Sequence, residues 1–354
     1  MIFREVGSEY FLEAAGVSAT DERLEAMLGG YRAAYYDSGR SALRSVLSDV
    51  AGRKALVPAY ICQSVIQAFR EEGYKPVFYG IRRDLSIDME DIREKLNAGI
   101  DVFFFMNYYG VLQNTEHLKE LRGLCDTLNC VIIEDTTHSL LTRIRTIGDY
   151  GIASLRKWFA LPDGGVAYSS ERPVRTAERI ERSAFSDKRT AGMFLKGLQL
   201  RGEGEYNAIY RRLFAEAESD LDNQRNINAM SEFSRGLLAS FPTGKSKRIR
   251  LENADYLAAH IRNPLVTALF PKYDRDACPF FYPVYVAERD RFREYLNRHR
   301  IYCPVHWPIE ENGLVDVGDV RFISERILSL PIDQRYSTAD MRYLCAVINE
   351  YDGG

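Results

Sequence analysis

Val102-Phe103-Phe104-Phe105-Met106 is the stretch that most constrains the fold. Five consecutive apolar residues are too few for a membrane span or an ordinary helix, and they leave no polar face for solvent. Such a run is a strand covered on both faces, as in a parallel sheet with helices on either side. The pattern recurs in Ala55-Leu56-Val57-Pro58-Ala59-Tyr60, in Pro76-Val77-Phe78-Tyr79-Gly80-Ile81 and in Cys130-Val131-Ile132-Ile133-Glu134-Asp135. Helical stretches at 63–72, 89–96 and 115–128 separate these runs, and Val166-Ala167-Tyr168 reads as a further strand. Upstream, 20–36 reads as a helix ending in Tyr35-Tyr36, and a second helix opens at Asp37-Ser38-Gly39-Arg40-Ser41 and runs to Val50. Strands alternating with helices predict an α/β fold with a mostly parallel sheet.

Beyond Gly165 the pattern changes. Residues 172–214 are charged and helical, and 216–240 continue so, first polar and then more apolar. The basic Lys245-Ser246-Lys247-Arg248-Ile249-Arg250 fits a solvated helix face. Apolar runs at 280–286 and 301–304, with helices at 288–299 and 337–350, form a smaller α+β pattern. The expected division is therefore a large domain at 1–240, including the N-terminal segment, and a small C-terminal domain at 241–354. A formal net charge of -3 argues against nucleic acid or an anionic membrane as partner. No apolar run has the length of a signal core or a membrane span, so a cytoplasmic protein is expected. The six cysteines and five histidines are dispersed, with no C-x-x-C and no ligand spacing, and no metal site is expected.

Chemistry gathers where strands end, which is where α/β sheets bind ligands. Ser38 to Ser41, Tyr60, Asn107 to Gly110, Asp135 to His138 and Ser154 to Lys157 all fall at strand ends or in turns. Lys157 stands between Ser154 and Gly164-Gly165 and beside Leu155, Trp158 and Phe159. Apolar neighbours favour the neutral amine that Schiff-base chemistry requires. Ser38-Gly39-Arg40-Ser41 is a glycine turn at a helix start, whose N–H groups suit a phosphate. Asp135, at the end of a buried strand, needs a partner for its charge. Phosphate turn, buried acid and lysine are together what pyridoxal 5′-phosphate (PLP) needs. Other nucleotide and hydrolase motifs are absent: Thr243-Gly244-Lys245-Ser246 lacks the earlier glycine of a phosphate-binding loop, and neither G-x-G-x-x-G nor G-x-S-x-G occurs.

The order of these segments resembles the DegT/StrS-type sugar aminotransferases. Ser38-Gly39-Arg40-Ser41-Ala42-Leu43 resembles that family's Ser-Gly-Thr-x-Ala-Leu, and Asn107-Tyr108-Tyr109-Gly110 its His-x-Tyr-Gly. Glu134-Asp135-Thr136-Thr137-His138 resembles Glu-Asp-x-Ala-Gln/His, and Gly148-Asp149-Tyr150-Gly151-Ile152-Ala153-Ser154 resembles Gly-Asp-x-Gly-x-x-Ser. Lys157 precedes Gly164 by seven positions, as the family's Schiff-base lysine precedes its Gly-Gly, and Leu328-Ser329-Leu330-Pro331 matches Leu-Ser-Leu-Pro. Two features depart from the pattern: Arg40 replaces threonine, and only two residues separate Ser154 from Lys157.

The resemblance implies PLP fold type I, an aspartate-aminotransferase-like architecture, and a homodimer. It implies transfer of an amino group from an amino acid, glutamate or glutamine, to a keto acceptor such as a nucleotide-linked keto-sugar. Lys157 and Asp135 would be catalytic. Gly39, Arg40, Ser41, Tyr60, His138 and Ser154 would join them in holding the cofactor, with Cys62 the other alignment for the ring-stacking position given to Tyr60. Tyr109, His306, Asn223 and Arg225 are the candidate substrate contacts, the last two standing in for the family's Gly-x-Asn-Tyr-Arg loop. Two readings stay open beside transamination: a lyase-type enzyme on the same fold, and a binding or regulatory protein that has lost catalysis.

Overall fold

A computed structural model describes residues 5–12, 22–178, 183–308 and 317–353. In chain order its elements begin with β1 (Val6–Gly7), α1 (Leu24–Met27), β2 (Arg32–Tyr36), α2 (Gly39–Asp49), β3 (Lys54–Pro58), α3 (Gln63–Glu71), β4 (Lys75–Tyr79) and α4 (Met89–Leu96). They continue with β5 (Val102–Met106), α5 (Thr115–Thr127), β6 (Val131–Asp135), β7 (Tyr150–Ser154), β8 (Gly165–Ser169), α6 (Ala184–Leu200), α7 (Asn207–Asn223) and α8 (Glu232–Leu238). The last are α9 (Thr243–His260), β9 (Thr267–Ala268), β10 (Tyr282–Tyr285), α10 (Arg289–Arg298), β11 (Ile301–Tyr302), α11 (Val320–Arg326), β12 (Ile327–Leu330) and α12 (Thr338–Glu350). Among the described residues no helix is long and apolar enough to cross a membrane.

The chain divides into two compact units. The first comprises Met1–Ser8, Gly52–Gly148 and Gly244–Gly354, the second Glu9–Ala51 and Asp149–Thr243. One crossing, at 243/244, lies three residues from the expected 240/241 boundary. The stretch expected as one large domain is shared between the units.

In the first unit four strands run parallel in the order β6-β5-β3-β4. β5 is buried at every position, as its unbroken apolar sequence demands. Met106 pairs with Asp135 and Pro58 with Tyr79, so the carboxyl ends of neighbouring strands lie level. The intervening helices start on polar caps: Asp88 accepts from the N–H groups of Glu90 and Asp91, and Asn114 from those of Glu116 and His117. The rest of this unit is α+β. β10 lies antiparallel between β9 and β12, over a core that includes Val284, Phe292, Leu296, Leu328, Leu344 and Ile348.

In the second unit β8 lies antiparallel between β2 and β7. Here the helix expected at 20–36 is corrected. Positions 20 and 21 lie outside the described residues, α1 spans only four residues, and Arg32–Tyr36 is a strand paired with Ser169–Gly165. Gly29-Gly30 stops the helix, since two glycines are the costliest residues to hold helical. α6 and α7 pack through Met193, Tyr210 and Phe214 and through Phe185, Ala217 and Leu221.

Between these helices Arg189 is buried. It binds Glu218 at 2.7 Å and Glu9 at 2.9 Å, while Arg156 binds the same Glu218 oxygen at 2.9 Å. Burial opposes ionisation of Glu218, but Arg156 and Arg189 outweigh it and hold its carboxyl down to about 2. A carboxyl lowered on folding stabilises the protein above its unfolded value and loses that contribution as pH falls through about 2. Acid unfolding followed from pH about 4.5 downward should therefore be steeper in the wild type than in Arg189→Met. Equal slopes would remove Glu218 from the acid limb.

Candidate active site

The second unit carries Lys157 and the turn expected to hold a phosphate. β7 ends at Ser154, and the 3-10 turn Leu155–Lys157 follows at once. Leu155 N donates to Gly164 O at 3.0 Å, continuing the β7–β8 pairing of Ser154 with Gly165. Leu155, Trp158 and Phe159 are fully buried, and Lys157 is half-buried beside them. Arg156 turns the other way, to Glu218, with its guanidinium 5.0 Å from the Phe185 ring centre. The turn is fixed again at its far end, where Asp163 accepts from both N and Oγ of Ser231, the cap of α8. Two residues between Ser154 and Lys157 thus suffice to place the lysine one turn beyond the strand.

α2 opens on Ser38, whose Oγ accepts from Ser41 N at 3.1 Å. Ala42 N bonds Ser38 O, and the N–H groups of Gly39 and Arg40 head the helix. Gly39 backs closely onto the strand end: a Cβ there would come 3.0 Å from Ser154 Cβ and 3.2 Å from Ser154 N. Gly165 is tighter still, its Cβ position lying 2.6 Å from Gly39 N and deeper inside the Ser38 carbonyl. Backbone therefore approaches backbone around a helix start, a setting for an anion.

Two expected cofactor ligands are directed elsewhere. Arg40 donates to Leu221 O at 3.1 Å and to Asp222 at 2.7 Å, at the end of α7, because unsatisfied helix carbonyls and a carboxylate attract its guanidinium. Ser41 Oγ donates to Asp37 Oδ1 at 2.6 Å, inside the turn. Asp37 was not foreseen. Buried, it also accepts from Ser38 Oγ and from Gln224 Nε2 at 2.8 Å, while its carbonyl accepts from Gly164 N at 2.7 Å. Burial raises the Asp37 carboxyl, and bonds from Ser41, Gln224, Asn228 and Ser38 only partly offset it. Of the loop expected to meet substrate, Gln224 has this role, whereas exposed Asn223 bonds Ser219 O in its own helix and the Arg225 carbonyl takes a bond from Arg44. An acid directly before Ser-Gly was the signal for Asp37.

The first unit brings together Tyr60, Tyr109, Asp135, His138 and His306. Asp135 is buried, and its Oδ1 accepts from Thr137 N at 2.8 Å. Glu134, on the opposite strand face, accepts from Asn107 Nδ2, from Thr146 N and Oγ1, and from the N–H groups of Ile147 and Gly148 at 2.8–3.2 Å. Burial raises its carboxyl against the lowering pull of these bonds. The Glu-Asp pair thus divides its work: Glu134 holds the Thr146–Gly148 loop, while Asp135, on the other face, bonds Thr137 N.

The His138 ring stacks on Phe280 at 4.4 Å and lies 5.5 Å from Trp307, 5.3 Å from Tyr109 and 5.4 Å from His306. Arg250 fixes Phe280 in turn, donating to its carbonyl at 2.7 Å. Tyr60, expected to stack on the cofactor ring, is fully buried between Tyr108 at 5.6 Å and Trp307 at 5.2 Å. Cys62, the other alignment, caps α3 and keeps exposed surface. Trp307, Phe280 and Ser329 were not singled out as ligands; Ser329, a polar residue centred in a buried strand, was the available signal. Among the described residues no group of three or more metal-ligating side chains gathers.

A family model described as the DegT/DnrJ/EryC1/StrS aminotransferase family matches residues 8–190. The dTDP-3-amino-3,6-dideoxy-alpha-D-galactopyranose transaminase of Aneurinibacillus thermoaerophilus is 23% identical over 319 residues, 85% of this chain and 79% of that protein. Helicobacter pylori PseC, an aminotransferase involved in the biosynthesis of pseudoaminic acid, superposes with a TM-score of 0.69 at 14% identity, covering 98% of both chains. Streptococcus pneumoniae Spr1654 in its PLP-form superposes with a TM-score of 0.65 at 15% identity, over 97% of this chain and 92% of that one. At these identities the solved structures speak for the fold, and it is the expected α/β fold of type I.

Proposed function

Because the chain belongs to the DegT/DnrJ/EryC1/StrS aminotransferase family, we propose that this aminotransferase uses PLP to move an amino group from glutamate or glutamine to a nucleotide-linked keto-sugar. The transaminase relative from Aneurinibacillus thermoaerophilus supports the sugar acceptor by its name. The observation that carries the cofactor assignment is the start of α2, where Gly39 backs onto Ser154 with its Cβ position 3.0 Å from Ser154 Cβ, so that a helix N-terminus and a serine stand side by side. A phosphate fits there on the N–H groups of Gly39 and Arg40, with Ser154 beside them. The half-buried amine of Lys157 fits the cofactor aldehyde, and the buried carboxylate of Asp135 fits a protonated ring nitrogen.

When bound, PLP supplies an aldehyde for the amino group and a ring that accepts the electrons of the breaking Cα–H bond. The chain's residues do the rest. Asp135 would hold a proton on the ring nitrogen. Lys157 Nζ would hold the cofactor's aldehyde and, as a free amine, would be the base that takes up and gives back the proton of the amino acid's Cα. Leu155, Trp158 and Phe159, all buried, limit water around that amine. We place the enzyme in the cytoplasm as a homodimer, on the family likeness.

Borohydride reduction of the PLP-loaded protein, followed by peptide mass mapping, tests the reading. One cofactor per chain should be fixed on the peptide containing Lys157, and L-glutamate added beforehand should release 2-oxoglutarate and prevent the labelling. Label on another lysine, or no 2-oxo acid from either L-glutamate or L-glutamine, would overturn it.

A further inference from the structure

The start of α2 holds two kinds of donor, and they are used differently. The N–H groups of Gly39 and Arg40 head the helix and make no bond among the described residues. Both hydroxyl hydrogens of the turn, by contrast, are taken up inside it. Ser41 Oγ lies 2.6 Å from Asp37 Oδ1, and two oxygens come that close only with a hydrogen between them. A carboxylate has none to give, so the hydrogen is Ser41's. Ser38 Oγ lies 3.1 Å from the same Oδ1 and 3.0 Å from Ser41 Oγ, so both acceptors for its one hydrogen are in the turn. Its lone pair is used there as well, by Ser41 N.

Asp37 is itself held from its other side. Gln224 Nε2 donates to Oδ2 at 2.8 Å and, with its second hydrogen, to Asn226 O at 2.9 Å. Asn228 adds a side-chain bond to the carboxyl, and its carbonyl accepts from Asp37 N at 3.0 Å. Two hydroxyls and two amides therefore reach the carboxyl, all of them able to donate, which suits the ionised form. Among the described residues no cation binds it, since Arg40 directs its guanidinium to Leu221 O and Asp222. A negative charge thus stands two residues before the first N–H group that Gly39 presents.

We propose that Asp37 is a positioning residue that decides how this turn holds the cofactor phosphate: it keeps the hydroxyl hydrogens of Ser38 and Ser41 for itself, leaves the N–H groups of Gly39 and Arg40 as the turn's donors, and weakens their hold through its own charge. The phosphate part rests on the cofactor reading above; the Asp37–Ser41 bond does not. Ser41, expected from the sequence to hold the cofactor, instead supports Asp37. One consequence separates this role from a structural brace. Removing the charge of Asp37 while keeping its shape should strengthen the hold on a phosphate, whereas loss of a brace would weaken it.

The ratio of the dissociation constants of pyridoxal and PLP isolates the phosphate, the group by which these two ligands differ. It is measured at a pH roughly four units above the ordinary aspartic acid value, so that Asp37 is ionised. Ser41→Ala should leave the ratio within about twofold of the wild type, because no phosphate bond is lost. Asp37→Asn keeps an oxygen for the hydroxyls and removes the charge, so the ratio should rise about fivefold. A tenfold fall in Ser41→Ala would make Ser41 a phosphate donor, and an unchanged or lower ratio in Asp37→Asn would show that its charge does not act on the phosphate; either result overturns the proposal. Thermal unfolding of the cofactor-free protein tests the bond by itself. Ser41→Ala should lower the midpoint by roughly 3 °C in the wild type and have much less effect in Asp37→Ala, and equal shifts in the two backgrounds would overturn the role of Ser41 as support. A wild-type protein that binds neither pyridoxal nor PLP would instead sink the cofactor reading, with the unfolding comparison still deciding the Asp37–Ser41 bond.

Discussion

Gly165→Ala should lose about 4 kcal/mol of stability. The added methyl would lie inside the carbonyl group of Ser38 and 2.6 Å from Gly39 N, so it meets backbone on the far side and no side chain can turn away. Relief requires β8 to part from the start of α2. That start is held by Ser41 and Ser38 on Asp37 and by Asp37 O on Gly164 N, and Tyr36 is paired to Gly165 itself. The strain therefore spreads into the turn proposed for the phosphate. Thermal unfolding should fall by roughly 10 °C, with PLP affinity falling in parallel. Gly123→Ala is the control: this exposed α5 glycine has no atom within 4 Å of its Cβ position, and alanine there should gain about 0.5–1 kcal/mol. A Gly165→Ala protein as stable as the wild type would show that the approach of β8 to α2 is looser than described.

What the sequence made legible was local. Val102–Met106 was recognisable as a strand because no residue in it tolerates water, and the lysine turn because a serine, a lysine and two glycines stand at fixed spacing. The parts that could not be read depend on residues far away in the chain. Arg32–Tyr36 looks helical alone and becomes a strand because Gly165–Ser169 lies alongside, more than a hundred positions on. The same pairing draws Glu9–Ala51 into one unit with Asp149–Thr243, which no change in composition marks. Arg40 looks like an anion ligand in the sequence alone because its partners, the Leu221 carbonyl and Asp222, lie 181 and 182 positions downstream. Tyr60 was read as a stacking ring since nothing nearby in sequence announces that Trp307 covers it.

Glu134 illustrates the same limit and supports the second large prediction. Its identity as a buried acid was visible; its partners were not. Glu134→Gln conserves shape and removes only charge, so it would pass as mild by sequence. The geometry says otherwise. Oε2 accepts from Thr146 N at 2.8 Å, Gly148 N at 3.1 Å and Ile147 N at 3.2 Å, while Oε1 accepts from Asn107 and Thr146 Oγ1, both at 3.0 Å. An amide offers one oxygen, and whichever way it is turned its NH2 group faces donors. Turned to keep the three backbone bonds, it confronts the donor Asn107 Nδ2, while Asn107 Oδ1 already accepts from Gln113 N. Turned the other way it leaves three buried N–H groups without an acceptor, each costing about 1–3 kcal/mol. Glu134→Gln should therefore lose about 2–4 kcal/mol, and Glu134→Gln combined with Asn107→Asp, which restores an acceptor opposite the new amide, should recover part of it. Amide exchange at Ile147 and Gly148 reads the cause: protection there should drop in Glu134→Gln before the rest of the unit opens. A variant of wild-type stability with those amides still protected would show that Glu134 does not hold the loop.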